Sequence, residues 1–367
     1  MIRIAHLSDV ELRAYAIAAN KLPGIASYDT EALRLEFEEI RADVPALDLT
    51  LTGFTIGEID RISNNYLAGQ YDDLDDDEPP TDNTPTKAQR GDLYGLGDHR
   101  LICGDSLDAE VLTTLMDGER AACCFTDPPY NVKINGHVSG SGKHAEFAMA
   151  SGEMSKPEFE AFLVNSLANV EESLRDGGIA FVCMDHAHLG ELLLAGEAVF
   201  DTRLNVCVWD KGRGGMGSLY RSQSEHIAVF KKGFVPHVNN VELGKNGRNR
   251  TNIWSFPGMA GFGKSRKKAL ELHPTVKPVA LVGEALLDVT APGDIVLDVF
   301  GGSGSTLIAT ERISRRARLV EFDPVYVDRT IARWEKMTGR TARLLHRQSD
   351  EPCDVAQADA NAREADR

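Results

Sequence analysis

An α/β protein with a doubly wound, mostly parallel sheet is what this sequence predicts, and three observations carry that prediction. Short apolar runs with few charges, Ala121-Ala-Cys-Cys-Phe-Thr126, Ile179-Ala-Phe-Val-Cys-Met184 and Ile295-Val-Leu-Asp298, read as strands buried on both faces. They alternate with helix-length segments, the pattern of repeated strand-helix units. They also break into turns made of Gly, Pro and Asp, and the carboxyl edge of such a sheet is where ligands bind.

With 367 residues, the chain has room for one domain of about two hundred residues and smaller additions. A hydrophobic content of 42% with 26% charged residues is ordinary for a soluble globular protein. No apolar run reaches membrane-spanning length, and Met1-Ile-Arg-Ile-Ala-His lacks the apolar core of a signal peptide, so a cytoplasmic protein without membrane attachment is expected. The six cysteines form no C-x-x-C pair, and several lie inside apolar runs where a thiol packs as a small hydrophobe. Neither a metal site nor a disulfide framework is expected.

The formal net charge of −16 excludes a surface with general affinity for nucleic acid. The distribution is uneven, however. Between Arg203 and Lys268, thirteen Lys or Arg stand against three acids, a local net of +10. A basic segment in an acidic protein is the footprint of a polyanionic partner.

Taken in order, residues 1 to 69 read as short helices. Ser8-x-x-Glu11 forms a capping box ahead of Leu12, Tyr15 and Ala19, Asp29 precedes Leu33, Phe37 and Ile40, and a third helix after Gly53 carries Ile56, Ile59 and Ile62, with Gly57 weakening it. Residues 70 to 91, with Asp72-Asp-Leu-Asp-Asp-Asp-Glu-Pro-Pro80, are too acidic and proline-rich to offset their ordering entropy, and a disordered linker is expected there. A globular domain follows from 92 to 345. Its first strand ends in Gly104-Asp105, a short helix covers Val111 to Met116, and the next strand runs into Asp127-Pro128-Pro129-Tyr130; this predicts a parallel strand-helix-strand unit with both turns on one edge.

Two consecutive prolines fix φ and remove donors, so they hold the Asp127 carboxylate and the Tyr130 ring in a stiff corner. The carboxylate and the Pro128 carbonyl can accept both protons of an exocyclic amine while Tyr130 stacks on a ring, which makes a pocket for a flat aminated base. Asn135 to Lys143 reads as a mobile loop beside that corner. Ser155-Lys-Pro157-Glu158 opens a helix that Gly177-Gly178 is expected to close. The basic stretch, about 210 to 270, is expected to be an insert that reads DNA: Lys211, Arg213, Tyr220, Arg221 and Gln223 supply base-reading and phosphate-binding side chains, and Lys264, Arg266 and Lys267 suit phosphates.

Near the end, Asp298-Val-Phe300-Gly-Gly302-Ser-Gly304-Ser-Thr306 is a strand breaking into a glycine-rich turn and a helix. Gly302 and Gly304 permit close approach of a cofactor, and Asp298 can hold an ammonium. Glu321 ends the next strand about twenty residues on, the position of a carboxylate that bonds a ribose diol. The tail, 346 to 367, has no periodicity and is expected to be disordered.

As a set, Asp127-Pro-Pro-Tyr130, Gly104-Asp105-Ser106, Arg175-Asp-Gly-Gly178, Trp209-x-Lys211, Tyr220-Arg221-x-x-x-Glu225, His273-Pro-Thr-Val-Lys277-Pro278, Asp298-x-Phe300-x-Gly302-Ser-Gly304 and Glu321 resemble the β-class DNA amino-methyltransferases over about residues 92 to 340. The order of motifs, catalytic tetrapeptide first and glycine turn last, is specific to that class. Residues 1 to 69 also resemble the distal helical half of ParB-like domains, through Leu12-Arg-Ala-Tyr-Ala-Ile-Ala-Ala-Asn20 and Leu49-Thr-Leu-Thr-Gly53-Phe54. The resemblance implies a Rossmann-like methyltransferase sheet with S-adenosylmethionine held by Asp298, Phe300, Gly302, Gly304, Thr306 and Glu321, with Asp105 near its adenine and Lys277 near its carboxylate. It implies Asp127, Pro128, Pro129 and Tyr130 as the catalytic set, double-stranded DNA as partner, a homodimer, and a bacterial or phage-infected cell as setting. Methylation of adenine N6 after base flipping is expected, with cytosine N4 methylation and an inactive methyltransferase fold that only binds DNA as the alternatives.

Overall fold

The computed structural model describes residues 7–21, 29–64, 86–132, 152–215, 219–241, 250–257 and 277–347. The expected tail beyond 347, the loop 135–143, the linker up to 85, and Lys264, Arg266 and Lys267 lie outside them.

The helical segment comprises α1 (Asp9–Lys21), α2 (Thr30–Asp43), a single 3₁₀ turn (Leu49–Thr52) and α3 (Ile56–Asn64). The Ser8 capping box forms as expected, with Glu11 accepting from the Ser8 backbone N–H at 2.7 Å. Asp29 caps α2 through the amides of Glu31 and Ala32. Leu33, Phe37, Ile40, Phe54, Ile59 and Ile62 close a small core of their own. Ile56, expected on the apolar face, is 58% exposed.

Ten strands form one sheet: β1 (Leu93–Leu96), β2 (His99–Cys103), β3 (Ala121–Thr126), β4 (Leu174–Met184), β5 (Thr202–Asp210), β6 (Ser224–Lys231), β7 (Ile253–Ser255), β8 (Ile295–Asp298), β9 (Arg316–Glu321) and β10 (Arg343–His346). Their order is β10-β1-β2-β9-β8-β3-β4-β6-β5-β7, and the five strands from β2 to β4 run parallel. One face is covered by α4 (Ala109–Met116), α5 (Lys156–Ser173) and α6 (Leu189–Val199), and the other by α7 (Val279–Val289), α8 (Ser305–Arg312) and α9 (Pro324–Thr338). Every residue of β3 is buried, because helices sit on both sides of it. β2 and β3 do have both turns on one edge, but β9 and β8 are interposed between them.

The structure departs from four expectations. α5 ends at Ser173, and Gly177-Gly178 lie inside β4, where Gly177 takes a φ of 77° and the two glycines exchange backbone hydrogen bonds with Lys232. The basic stretch is not a simple insert: β6 is an interior strand between β4 and β5, so the sheet needs these residues for its own core. The chain joins the domain before residue 92, since the Lys87 and Ala88 amides bond Asp328 and Ala88 is buried. At the other end, β10 pairs with β1 and carries the sheet through His346.

The helical segment is fixed to the strands' amino-terminal edge. Arg315, fully buried just before β9, meets the Asp60 carboxylate of α3 with Nη1 at 2.8 Å and Nη2 at 2.6 Å. Its Nε donates to Thr290 Oγ1, and its remaining protons go to the Ile313 and Thr290 carbonyls. Gly57 explains itself in the same contact, because a Cβ there would come within 3.0 Å of the Asn240 amide oxygen.

Candidate active site

Asp105, Glu321, Asp298 and Asp127 follow or end β2, β9, β8 and β3, four consecutive neighbours in the sheet, so all four carboxylates stand along one edge. Adjacent strands lie about 4.8 Å apart, which sets the scale of the site. Chain connections leave in opposite directions on either side of the β8/β3 pair, the topological switch point at which such sheets bind ligands.

The glycine turn is built on β8. Asp298, 4% exposed, accepts from the Thr306 hydroxyl at 2.7 Å, the Thr126 hydroxyl at 2.9 Å and the Phe300 amide at 3.1 Å. Burial pushes its carboxyl up to about 6 despite these donors. Gly302 has a φ of 52° and gives its N–H to Glu321 Oε2 at 2.7 Å, while Glu321 Oε1 accepts from the Asp323 amide. Burial raises Glu321 to about 7. Gly304 adopts a φ of 80°, and a Cβ there would come within 2.8 Å of Thr330, so the turn approaches its neighbour as closely as only glycine allows. Phe300 stands 5.9 Å from the Phe162 ring, and Asp105 accepts from the Leu107 amide in the turn after β2.

The acidic-aromatic corner follows β3 directly. Tyr130 donates its hydroxyl proton to Asp127 Oδ1 at 2.5 Å, and Pro128 is buried beneath them. Desolvation raises the Asp127 carboxyl, with the Glu225 charge adding to it and Lys277 opposing. Burial and the adjacent carboxylates raise the Tyr130 phenol well above its ordinary range. Thr126 links corner and turn, its backbone leading into Asp127 while its side chain holds Asp298.

Lys277, expected near a cofactor carboxylate, reaches the corner itself in the ligand-free chain. Its ammonium, 6% exposed, lies 2.6 Å from Asp127 Oδ2, 2.9 Å from Glu225 Oε2 and 3.0 Å from the Tyr130 hydroxyl. Burial alone would lower this group, but the two carboxylates overcome it and hold the ammonium firmly protonated. Burial would likewise raise Glu225, yet Lys277 and Lys211 together hold it down at about 2.

Glu225 was visible only as the last letter of a motif. Its place in the site comes from register, since β6 pairs Glu225 with Trp209 on β5 and His226 with Met184 on β4, which sets it against Tyr130. The sequence marks Thr126 only as the end of a strand, because its hydroxyl link to Asp298 depends on β3 neighbouring β8.

The described residues expected to meet DNA lie on and beside the turn between β5 and β6. Lys211 is ion-paired with Glu225 and so belongs to the charge network of the corner. Arg221 gives its guanidinium protons to the Gly214 and Gly215 carbonyls, and Gln223 donates to Asp210 at 2.8 Å, so both shape the turn between β5 and β6. Tyr220 is 83% exposed, as is Leu219 beside it, at the sheet edge that carries Asp127. Arg213 lies on the same turn.

Residues 121–333 match the family model for DNA methylases of the N6/N4 class, and residues 31–89 match the ParB-methyltransferase HTH domain. The second match therefore starts later than the expected helical segment and continues through the stretch expected as linker. The type II methyltransferase M2.MboI of Moraxella bovis is 26% identical over 228 residues, 58% of this chain and 80% of that protein. The type II methyltransferase M.HpaI of Haemophilus parainfluenzae is 24% identical over 249 residues, 63% of this chain and 72% of that one. Among solved structures, the cytosine-N4-specific PvuII DNA methyltransferase aligns with 19% identity and a TM-score of 0.48, covering 65% of this chain and 89% of that chain.

Proposed function

The chain belongs to the N6/N4 family of DNA methylases, and on that premise we propose that it transfers a methyl group from S-adenosylmethionine to the exocyclic N6 of a flipped adenine in double-stranded DNA. The observation that carries the reading is the juxtaposition of the Asp127 corner with the Asp298 and Gly302 turn on the neighbouring strand, tied by the 2.9 Å bond from Thr126 to Asp298.

The residues present suit the cofactor. Glu321, buried and oriented by two backbone amides, offers a carboxylate for a ribose diol, and Gly302 and Gly304 hold the turn beside it at positive φ, Gly304 packing against Thr330 more closely than a Cβ would permit. When bound, S-adenosylmethionine supplies an electrophilic methyl group. An adenine amino nitrogen is a poor nucleophile because its lone pair is delocalised into the ring. Asp127 and the Pro128 carbonyl accept hydrogen bonds from its two N–H groups and favour the tetrahedral nitrogen of the transition state over the planar ground state, and the one proton released once the N–C bond has formed passes to the Asp127 side. Positioning supplies the rest, with contributions that reach about 7 kcal/mol or more for well-oriented reactants. Extruding the base costs a few kcal/mol, which stacking on Tyr130 offsets in part.

An aspartate in first place of the tetrapeptide favours adenine over cytosine. Digesting duplex DNA to nucleosides after incubation with the protein and isotopically labelled S-adenosylmethionine tests the proposal. Labelled N6-methyl-2′-deoxyadenosine is the expected product; N4-methyl-2′-deoxycytidine would move the assignment to cytosine, and no labelled nucleoside would refute it.

A further inference from the structure

The Lys277 ammonium has three N–H donors and three partners: Asp127, Glu225 and the Tyr130 hydroxyl. It therefore occupies acceptor capacity on Asp127 that a target amino group requires. A charged donor at 2.6 Å competes strongly with a neutral amine for the same oxygen. Lys277 cannot simply leave, since a buried cation without a counter-ion is costly. The second carboxylate resolves this conflict. Glu225 already touches the ammonium at 2.9 Å, and its other oxygen is held by Lys211.

We propose that Glu225 is a positioning residue for transfer: it retains the Lys277 ammonium while Asp127 exchanges that donor for the N–H of the target base. The inference rests on the reading of this site as a methyltransferase centre. Neutralising Glu225 leaves Asp127 as the main anion on Lys277, so the lysine grips Asp127 more tightly and the incoming amine is excluded. The effect must then depend on the protonation of Lys277. The groups that face this ammonium are Asp127 and Tyr130 from the turn after β3, Cys183 from β4, Trp209 from β5 and Glu225 from β6, with Lys211 acting through Glu225. Among them, Asp127 and Glu225 do most to keep it charged, so Glu225→Gln brings its titration to lower pH.

The test uses the full-length protein, the E225Q, E225D, K277M and E225Q/K277M variants, and single-turnover methylation of a duplex target at saturating S-adenosylmethionine. At about pH 7.5, E225Q is expected to lose about tenfold or more in transfer rate, with duplex affinity within about threefold of the parent and E225D largely active. The E225Q deficit should shrink as the pH is raised, because Lys277 gives up its proton earlier in that variant than in the parent. In the K277M background, adding E225Q should have no further effect. A readout free of turnover is the titration of Lys277 followed by the ¹³Cε resonance of labelled lysine, assigned with K277M; its midpoint should fall in E225Q. An active parent with an E225Q variant that is unimpaired, or impaired equally at every pH and equally with or without Lys277, would overturn the exchange role alone. A parent that methylates no DNA would instead overturn the functional reading on which it rests.

Discussion

Among the described residues, the buried charge clusters around Arg315 and around Lys277 lie at opposite edges of one sheet, and they are built differently. At the amino edge, Arg315 and Asp60 meet as a planar fork on a carboxylate, with the remaining guanidinium protons on Thr290 and Ile313. At the carboxyl edge, a single ammonium is shared by two carboxylates and a phenol. The Arg cluster has one geometry that satisfies all its donors, so it suits a fixed joint between the helical segment and the sheet. The Lys cluster offers a compact, rotatable donor to acceptors on two elements, so it suits exchange. The same kinds of charge thus anchor the helical segment in one place and, on the exchange proposed for Glu225, serve turnover in the other.

This contrast can be broken most forcefully at the carboxyl edge. Asp127→Ala should lower methyl transfer by at least about a thousandfold while S-adenosylmethionine affinity and thermal stability change little, because Glu225 still neutralises Lys277. Parallel calorimetry and methylation assays would check it, and near-normal turnover would remove Asp127 from its role.

At the amino edge the outcome should be reversed. Asp60→Ala strands a fully buried guanidinium and should cost about 3 to 5 kcal/mol of stability, read from denaturant unfolding, with little change in the rate of the protein that remains folded.

A third test concerns pH. Asp298 at about 6 and Glu321 at about 7 are raised by burial, so the ligand-free fold binds more protons than the unfolded chain between the ordinary carboxylate range and about pH 7. Stability contributed by these two groups therefore falls as pH rises through that window. Cofactor affinity should run the other way: a ribose diol needs the Glu321 carboxylate, so the dissociation constant should rise on going from about pH 8 to pH 6, by up to about tenfold per pH unit for each group that must lose a proton. Isothermal titration in buffers of different ionisation enthalpy would also detect the released proton.

Smaller effects should follow at the turns. Gly304→Ala forces a φ of 80° on a residue with a Cβ and brings that atom to 2.8 Å from Thr330, so weaker cofactor binding and a stability loss of about 1 to 2 kcal/mol are expected. Arg221→Ala should have the mildest consequence. It frees the Gly214 and Gly215 carbonyls of an exposed turn, and a change of a few-fold in duplex affinity by fluorescence anisotropy is the expected result.

Much of the site was legible because its chemistry is local. Asp127 to Tyr130 and Asp298 to Thr306 each lie within one turn, where proline and glycine dictate the backbone directly. The sheet's central strands were legible for a related reason: burial on both faces leaves an unbroken apolar run. What could not be read depends on register between distant segments. Glu225 joins the corner through β6 pairing, Lys211 is drawn to Glu225 instead of facing outward, and Asp60 meets a guanidinium 255 residues away. The short outer strands β1 and β10 likewise carry no strong period, since β10 is exposed along its length. Gly177-Gly178 misled because the same dipeptide that closes a helix also supplies the positive φ of an irregular strand.

On the proposed function, the Asp127 corner and the Gly302 turn face one space, through which a methyl group passes to a base nitrogen. A crystal structure of the protein with S-adenosylmethionine tests this most directly. The ribose diol should lie on Glu321 and the sulfonium methyl should point toward Asp127 and Pro128, with room for one flat base between them. A cofactor seated elsewhere, or bound at the turn with its methyl directed away from Asp127, would contradict it.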